Sequence, residues 1–210
     1  MNLLKDYIFR SLPDQAPFVT RPSLRQKVGE NGEFLPFRGN TVVFPLDSET
    51  KAHLAKIQKR LHTSDMLASP LDPSTFHMTL HDLENTAGGE ENLEERMEEA
   101  DRKARPLLKP VTLAMEATAA FNMVNTSIVL GLAPADRETE ETLDGLYQAL
   151  ETVVPLGYDL TPHITLAYFR PGSYGQESLD RLRALLGPID LRMTLRNPVL
   201  QTFISMNEYR

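Results

Sequence analysis

Apolar residues along this chain follow two alternating patterns, and the same succession of patterns occurs twice. Short β-branched runs at 41–46 and 127–132 are bounded by turn residues, which is typical of buried strands. Each run leads into a longer stretch with apolar residues at helical spacing, about 48–62 and 136–153. The first residue of each stretch, a serine and an aspartate, is of a type that caps helix N-termini. The pattern therefore predicts a strand–helix unit that is used twice.

A third segment of the chain also recurs. Residues 107–115 resemble residues 185–193, and each segment follows a charged stretch of helical character, 90–105 or 177–186. The repeated unit is therefore strand–helix–strand–helix–strand. Its matching positions are 86 residues apart in the first part of the unit and 78 in the last, too far apart for a solenoid repeat. We expect two half-domains that face each other across a cleft.

The middle strand of each unit contains the same tetrapeptide, His-x-Thr-Leu. The two copies are His77-Met78-Thr79-Leu80 and His163-Ile164-Thr165-Leu166. Because side chains alternate along a strand, the histidine and threonine of each copy should point to one side of the sheet. In a pair of histidines, one imidazole can accept a proton while the other donates one, and two hydroxyls can hold charged oxygens. The repeat therefore indicates phosphoryl chemistry in the cleft.

Composition limits the class of protein. With 210 residues, of which 41% are hydrophobic, the chain can form one globular domain or two tightly joined lobes. It contains no cysteine, which excludes disulfides, thiol nucleophiles and thiolate metal sites. No apolar run approaches the roughly 20 residues that span a bilayer, and the N-terminus lacks the apolar block of a signal peptide. We expect a cytoplasmic protein with no membrane partner.

The charge of the chain bears on its partners. The formal net charge is −7, and much of the acidity lies on the predicted helix 90–105. That charge is typical of a solvated helix face. An extended duplex nucleic acid would require a basic surface, so we do not expect one as a partner. A small phosphate ester remains compatible, and we expect a monomer.

The residues before the repeat form an N-terminal arm, 1–39. The arm is rich in proline and predicts a short helix followed by irregular chain, with a turn within 28–37. It either covers one edge of the cleft or serves only in packing. The duplicated domain would then span 40–210, with half-repeats at about 40–118 and 119–206.

Two His-x-Thr motifs, each on a strand of one duplicated half, resemble the 2H phosphoesterase superfamily. That group includes bacterial RNA 2′-5′ ligase-like proteins and cyclic phosphodiesterases. The resemblance covers about residues 40–206, and the stretch 34–44 is similar to a less characterised branch of the group. It implies an α+β, bilobal, duplicated fold in which two antiparallel sheets line a central cleft, with helices on the outside.

The resemblance also implies a function and a site. It implies a metal-independent, cofactor-free hydrolase that acts on a 2′,3′-cyclic phosphate or a related phosphodiester of a small nucleotide or an RNA end. His77 and His163 would be the acid/base pair, and Thr79 and Thr165 the phosphate-binding hydroxyls. The resemblance does not say which histidine is the base, and that choice decides between a 2′- and a 3′-phosphate product.

Five further residues are candidates for substrate contacts. His81 follows Thr79 by two positions and could share its face, although a solvated strand end is the alternative. Tyr168, Phe169 and Arg170 directly follow the second motif and could stack on a base or meet a phosphate. Strand alternation places Tyr168 and Arg170 on the far face unless a bulge intervenes, and core packing is expected for one of the aromatics. Arg38 precedes the first repeat strand and could lie at the rim of the cleft.

Two other functions remain open at this point. A non-catalytic module that binds a nucleotide or an RNA end would keep the cleft without turnover. RNA 2′-5′ end-joining is the reverse chemistry, and the same four residues could support it. Intact histidines and threonines in both copies favour the hydrolase.

Overall fold

The computed structural model describes residues 12–210. Within this range, the strands before residue 124 are β1 (Phe18–Val19), β2 (Gly39–Pro45), β3 (His77–Asn85) and β4 (Thr112–Met123). Those after it are β5 (Ser127–Pro134), β6 (His163–Tyr168), β7 (Ser173–Tyr174), β8 (Arg192–Arg196), β9 (Val199–Ser205) and β10 (Glu208–Tyr209). The α-helices are α1 (Ser48–Leu61), α2 (Leu93–Ala104), α3 (Arg137–Glu151) and α4 (Gln176–Leu185).

Eight of these strands form one antiparallel sheet, in which strands of the two predicted halves are exchanged: β9 lies beside β2, and β4 lies between β5 and β8. The strand order is β10-β9-β2-β3-β6-β5-β4-β8. The two histidine strands, β3 and β6, are neighbours near its centre, where Met78 pairs with Ile164. The strands β1 and β7 form a second, two-stranded antiparallel sheet. The predicted α+β class with two antiparallel sheets and helices outside is confirmed.

The large sheet is curled, because strands far apart in it are consecutive in the chain. Strands β8 and β9 are separated by six interstrand steps, or about 29 Å in a flat sheet. Only Asn197 and Pro198 connect them, and such a link can span at most about 11 Å. Asn197 makes the sharp turn with a positive φ of 50°. Curling brings the two sides of the sheet together and creates a concave surface.

The helices α1 and α3 each follow the first strand of a repeat, and in α1 the capping residue differs from the predicted one. Asp136 caps α3 as predicted, since its carboxylate accepts a hydrogen bond of 2.8 Å from the amide of Thr139. In α1 the cap is Asp47, which accepts a bond of 2.8 Å from the amide of Thr50. Ser48 is the first helical residue and not the cap, so that prediction was wrong by one position. The carboxylate one residue earlier reaches the free amide.

The N-terminal arm packs against the second half of the fold. Its β1 pairs with β7, and its turn is closed by a bond from the amide of Gly32 to the carbonyl of Gly29. Gly32 has a φ of 86°, which glycine adopts readily. The short helix expected at the start of the chain lies outside the described residues. The division into an arm and two half-repeats stays a prediction.

No helix between residues 12 and 210 combines the length and the apolar character needed to cross a bilayer.

Candidate active site

Both His-x-Thr motifs line one cavity on the concave side of the sheet. The cavity has a volume of about 380 Å³, and His77, Thr79, His163 and Thr165 are all on its wall. Because β3 and β6 are antiparallel and pair at their second motif positions, His77 lies beside Thr165 and Thr79 beside His163. Directly opposed side chains have Cβ atoms about 5 Å apart. Each histidine is therefore next to the threonine of the other half.

The two imidazoles are oriented in the same way. Nδ1 of His77 is 2.7 Å from the carbonyl oxygen of Thr75, and Nδ1 of His163 is 2.6 Å from that of Thr161. A carbonyl oxygen only accepts hydrogen bonds, so Nδ1 carries the proton in both rings. Nε2 is then the nitrogen that can accept a proton in the neutral ring and donate one in the charged ring.

Burial in the cavity favours the neutral form of both histidines. It lowers the pKa of His77 to about 4, although the hydrogen bond to Thr75 and the charge of Asp82 act in the opposite direction. Burial also lowers the pKa of His163, and the hydrogen bond to the carbonyl of Thr161 and the charge of Asp82 offset part of this effect. An anion held between the rings would favour their charged form.

A bulge in each histidine strand changes the facing of the residues after the motif. In β3, Thr79 is opposite Val43 but His81 is opposite Val42, so one extra residue separates them. An extra residue reverses the alternation of side chains beyond it. Asp82 therefore faces the cavity, where it is part of the wall, and His81 does not.

The second histidine strand has the same bulge at the equivalent place. In β6, Thr165 is opposite Val129 and Ala167 is opposite Ile128. Tyr168 consequently lines the cavity, and its hydroxyl is 3.1 Å from the Sδ atom of Met206. The plain alternation that put Tyr168 on the far face does not hold, because a bulge does intervene.

His81 lies on the other side of the sheet from the histidine pair. It is 1% exposed, and its Nε2 atom is 3.0 Å from a carboxylate oxygen of Glu151 in α3. Its Nδ1 atom is 2.6 Å from the carbonyl oxygen of Asp82. The suggested placement of His81 on the cleft face, and the alternative of a solvated strand end, are both corrected by the bulge. Its contacts instead join α3 to the strand that carries Asp82.

The remaining candidate contacts lie away from the cavity wall. Phe169 is fully buried and packs on Phe18 with ring centroids 4.8 Å apart, so it is the aromatic that belongs to the core. Arg170 donates a bond of 3.2 Å to the carbonyl of Asp65, where the strand has ended. Arg38 forms an exposed ion pair with Glu94 of α2. None of these three residues lines the cavity, so their positions do not support the suggested substrate contacts.

Cavity residues from outside the histidine strands were not predicted from the sequence. Among them are Ser23, Gln26, Lys27 and Phe37 of the arm and Phe203, Met206 and Tyr209 near the C-terminus. The ring of Tyr209 is 4.7 Å from that of His77 in an edge-on arrangement. The arm therefore contributes to the cavity, the first of the two roles considered for it. No periodic pattern or repeat marks these residues, because their positions depend on how the arm and the last hairpin pack.

Within residues 12–210, no group of three or more histidine, aspartate or glutamate side chains is arranged to hold a metal ion.

One family model matches the sequence. It is described as 2H-phosphodiest, a domain of unknown function (DUF1868), and it covers residues 27–92. The match includes the first histidine motif and the arm residues from Lys27 onward. No curated protein matches the chain.

Several solved structures have a similar fold. A conserved protein of unknown function from Agrobacterium tumefaciens, ATU0111, is 19% identical and is matched over 92% of both chains with a TM-score of 0.66. LigT of E. coli, complexed with 3′-AMP, is 14% identical over 83% of this chain and 93% of its own, with a TM-score of 0.56. TT0787 of Thermus thermophilus is 18% identical over 78% and 87%, with a TM-score of 0.52. At these identities the likeness establishes the fold.

Proposed function

We propose that the chain is a 2H phosphoesterase and acts as a metal-independent phosphodiesterase that hydrolyses a 2′,3′-cyclic phosphate or a related nucleotide or RNA-end phosphodiester. The observation that carries the proposal is the matched pair of imidazoles on one cavity wall. Both rings are held through Nδ1, which leaves both Nε2 atoms for proton transfer. Each also has a threonine of the other half beside it.

The proposed reaction needs one proton acceptor and one proton donor on opposite sides of phosphorus. The neutral histidine takes a proton from a water molecule as the water oxygen bonds to phosphorus. The protonated histidine gives its proton to the ribose oxygen as the old phosphorus–oxygen bond breaks. The ring opens to a phosphate monoester, and each proton transfer contributes about 10²- to 10⁴-fold to the rate.

The hydroxyls of Thr79 and Thr165 are proposed to bind the non-bridging phosphate oxygens. Hydroxyl donors that are fixed in place stabilise the charge that builds on these oxygens in the transition state. The negative phosphate would also restore the protonated form of one histidine, since an adjacent anion favours imidazolium over the neutral ring.

A nucleotide is the proposed kind of substrate. A cavity of about 380 Å³ is within the range of small-molecule sites, which is about 300–1,000 Å³. Aromatic side chains of the wall, Phe37, Phe203 and Tyr209, could pack against a base or a sugar. LigT, which has a similar fold, binds 3′-AMP.

The test is turnover in EDTA of 2′,3′-cyclic nucleotides, ADP-ribose 1″,2″-cyclic phosphate and 2′-5′-linked oligonucleotides. We expect His77→Ala and His163→Ala each to lower kcat by about 10²- to 10⁴-fold. His53→Ala is the control, because His53 is exposed on α1 and is not part of the cavity. Full activity in either cavity variant would contradict the paired mechanism.

Two outcomes would favour the other functions. Nucleotide binding without turnover of any substrate would identify a binding module. Joining of RNA ends that carry a 2′,3′-cyclic phosphate and a 5′-hydroxyl, faster than hydrolysis, would identify end-joining as the reaction.

A further inference from the structure

A lysine from the arm lies at the cavity and, among the described residues, forms no hydrogen bond or ion pair through its ammonium group. Lys27 directly follows the short 3-10 turn Pro22–Gln26, and its Nζ atom is 4.7 Å from the ring centroid of Phe37. Burial lowers its pKa, and the carboxylate of Asp82 partly offsets this effect. Among residues 12–210, Nζ has neither a hydrogen-bond acceptor nor a carboxylate at ion-pair distance. A desolvated ammonium of this kind favours an anionic ligand.

Lys27 also differs in charge type from the other residues of the cavity wall. Apart from the two histidines, the acidic and basic side chains among the described wall residues are Asp82 and Lys27. Lys27 is thus the one basic side chain of the described wall besides the histidines. An anion that enters the cavity is attracted to Lys27 whatever the protonation of the histidines.

The lysine and the histidine pair line the same cavity of about 380 Å³, which is of a size that one nucleotide can fill. The histidines extend from β3 and β6, whereas Lys27 extends from the arm. One ligand can therefore place a phosphodiester at the histidines and a second anionic group at the lysine.

We propose that Lys27 binds a second phosphoryl group of the substrate, carried on the 5′ oxygen of the ribose whose cyclic phosphate is opened. This inference rests on the proposed function. In such a ribose, the 5′ oxygen lies at the other end of the sugar from the cyclic phosphate. The last nucleotide of an RNA chain has a phosphodiester at that oxygen, and ADP-ribose 1″,2″-cyclic phosphate has a diphosphate at the equivalent position. Both therefore carry a negatively charged phosphoryl group at the oxygen where Lys27 would bind it.

The test compares adenosine 2′,3′-cyclic phosphate with and without a 5′-phosphate. We expect the wild-type protein to prefer the 5′-phosphorylated compound, and Lys27→Met to lower kcat/KM for that compound about 10- to 100-fold. The same variant should affect the other compound less, so that the ratio of the two kcat/KM values falls toward one, and Lys27→Arg should keep most of the preference. Lys56→Met, on the exposed face of α1, is the matched control. Methionine keeps an apolar chain against Phe37, and a melting curve verifies folding.

Equal losses on both compounds, or no preference in the wild-type protein, would overturn the inference. A dinucleotide with a terminal cyclic phosphate and ADP-ribose 1″,2″-cyclic phosphate, assayed in parallel, distinguish the two sources of the 5′ group. If none of these compounds is hydrolysed, the proposed function fails. Binding affinities measured by calorimetric titration then still test whether Lys27 binds the 5′ group. Wild-type protein should bind adenosine 3′,5′-bisphosphate more tightly than 3′-AMP, and Lys27→Met should abolish the difference. Equal affinities in the wild-type protein would overturn it.

Discussion

Asp82 and Tyr168 occupy equivalent positions in the two histidine strands, and a bulge at the same place in each strand turns both side chains into the cavity. The histidines, the threonines and the carbonyls that hold the rings are alike in the two halves. At the next position on the cavity face, one half has a carboxylate and the other a phenol. The site is therefore symmetric in its histidines and threonines and asymmetric in the side chains beside them.

The first prediction concerns the charge of Asp82. Its carboxylate raises the pKa of His77 and of His163, so Asp82→Asn should lower both pKa values further. The histidine that acts as acid must be protonated, and the variant should lose more activity at pH 7 than at pH 5. The measurement is the pH profile of kcat/KM, with Asp190→Asn, at an exposed position outside the cavity, as the control. An unchanged profile in Asp82→Asn would show that the carboxylate does not influence the pair.

The second prediction concerns the pH optimum of the wild-type protein. Activity rises with pH as the base histidine loses its proton and falls as the acid histidine loses its proton. Burial lowers both pKa values below the usual 6.5, to about 4 for His77, so the maximum of kcat/KM should lie below pH 6.5. The bound phosphate raises both values, so the maximum of kcat should lie at a higher pH than that of kcat/KM. A maximum of kcat/KM above pH 7.5 is incompatible with the lowered pKa values.

Much of the fold and the centre of the candidate site could be predicted from the sequence, because both depend on local patterns that occur twice. The strands and helices of each half follow from hydrophobic spacing, and their equivalence brings His77 and His163 to adjacent strands. The bulges could not be predicted, since an extra residue leaves no mark in the alternation of β3 or β6. They account for the reversed facing of His81 and Asp82.

The role of the arm could not be predicted for a different reason. Lys27 and Phe37 reach the cavity through tertiary packing of irregular chain, and no periodicity precedes such contacts. The same holds for Tyr209 at the other end of the sequence, which meets His77 only because the sheet curls. Local patterns specify elements, whereas these contacts depend on how the elements assemble.

The third prediction tests the helix cap of α1. Asp47→Ala should lower the free energy of unfolding by about 1 kcal/mol, because an amide in the first turn loses its acceptor. Asp47→Asn should cost little, since asparagine caps equally well, and Ser48→Ala should cost little because Ser48 is already inside the helix. Urea unfolding at pH 7 measures all three. A larger loss of unfolding free energy for Ser48→Ala than for Asp47→Ala would identify Ser48, as predicted from the sequence, as the capping residue.

The pH dependence of this cap has a definite sign. Hydrogen bonds from Thr50 lower the pKa of the Asp47 carboxyl in the folded protein. Its contribution to stability is therefore present above its usual pKa of about 3.9 and is lost as the pH falls through the lowered value. The difference in unfolding free energy between wild type and Asp47→Ala should narrow at acid pH and stay constant between pH 6 and 8.

The fourth prediction concerns the close approach of backbone and side chains at Gly39. A Cβ atom there would be 2.4 Å from the carbonyl oxygen of Glu84 and 2.5 Å from the ring of Phe203. Backbone in the middle of a sheet cannot move aside easily, so Gly39→Ala should lower the free energy of unfolding by about 1–3 kcal/mol. Because Phe203 lines the cavity, substrate affinity should weaken as well.

Gly145 provides the matched control for this substitution. It is exposed in α3, and a Cβ atom there meets nothing within 4 Å. Gly145→Ala should raise the free energy of unfolding by about 0.4–1 kcal/mol, because alanine loses less backbone entropy in a helix. Chemical unfolding of the two variants should therefore give shifts of opposite sign. Two shifts of the same sign would mean that backbone entropy, and not the contact with Glu84 and Phe203, decides the effect at Gly39.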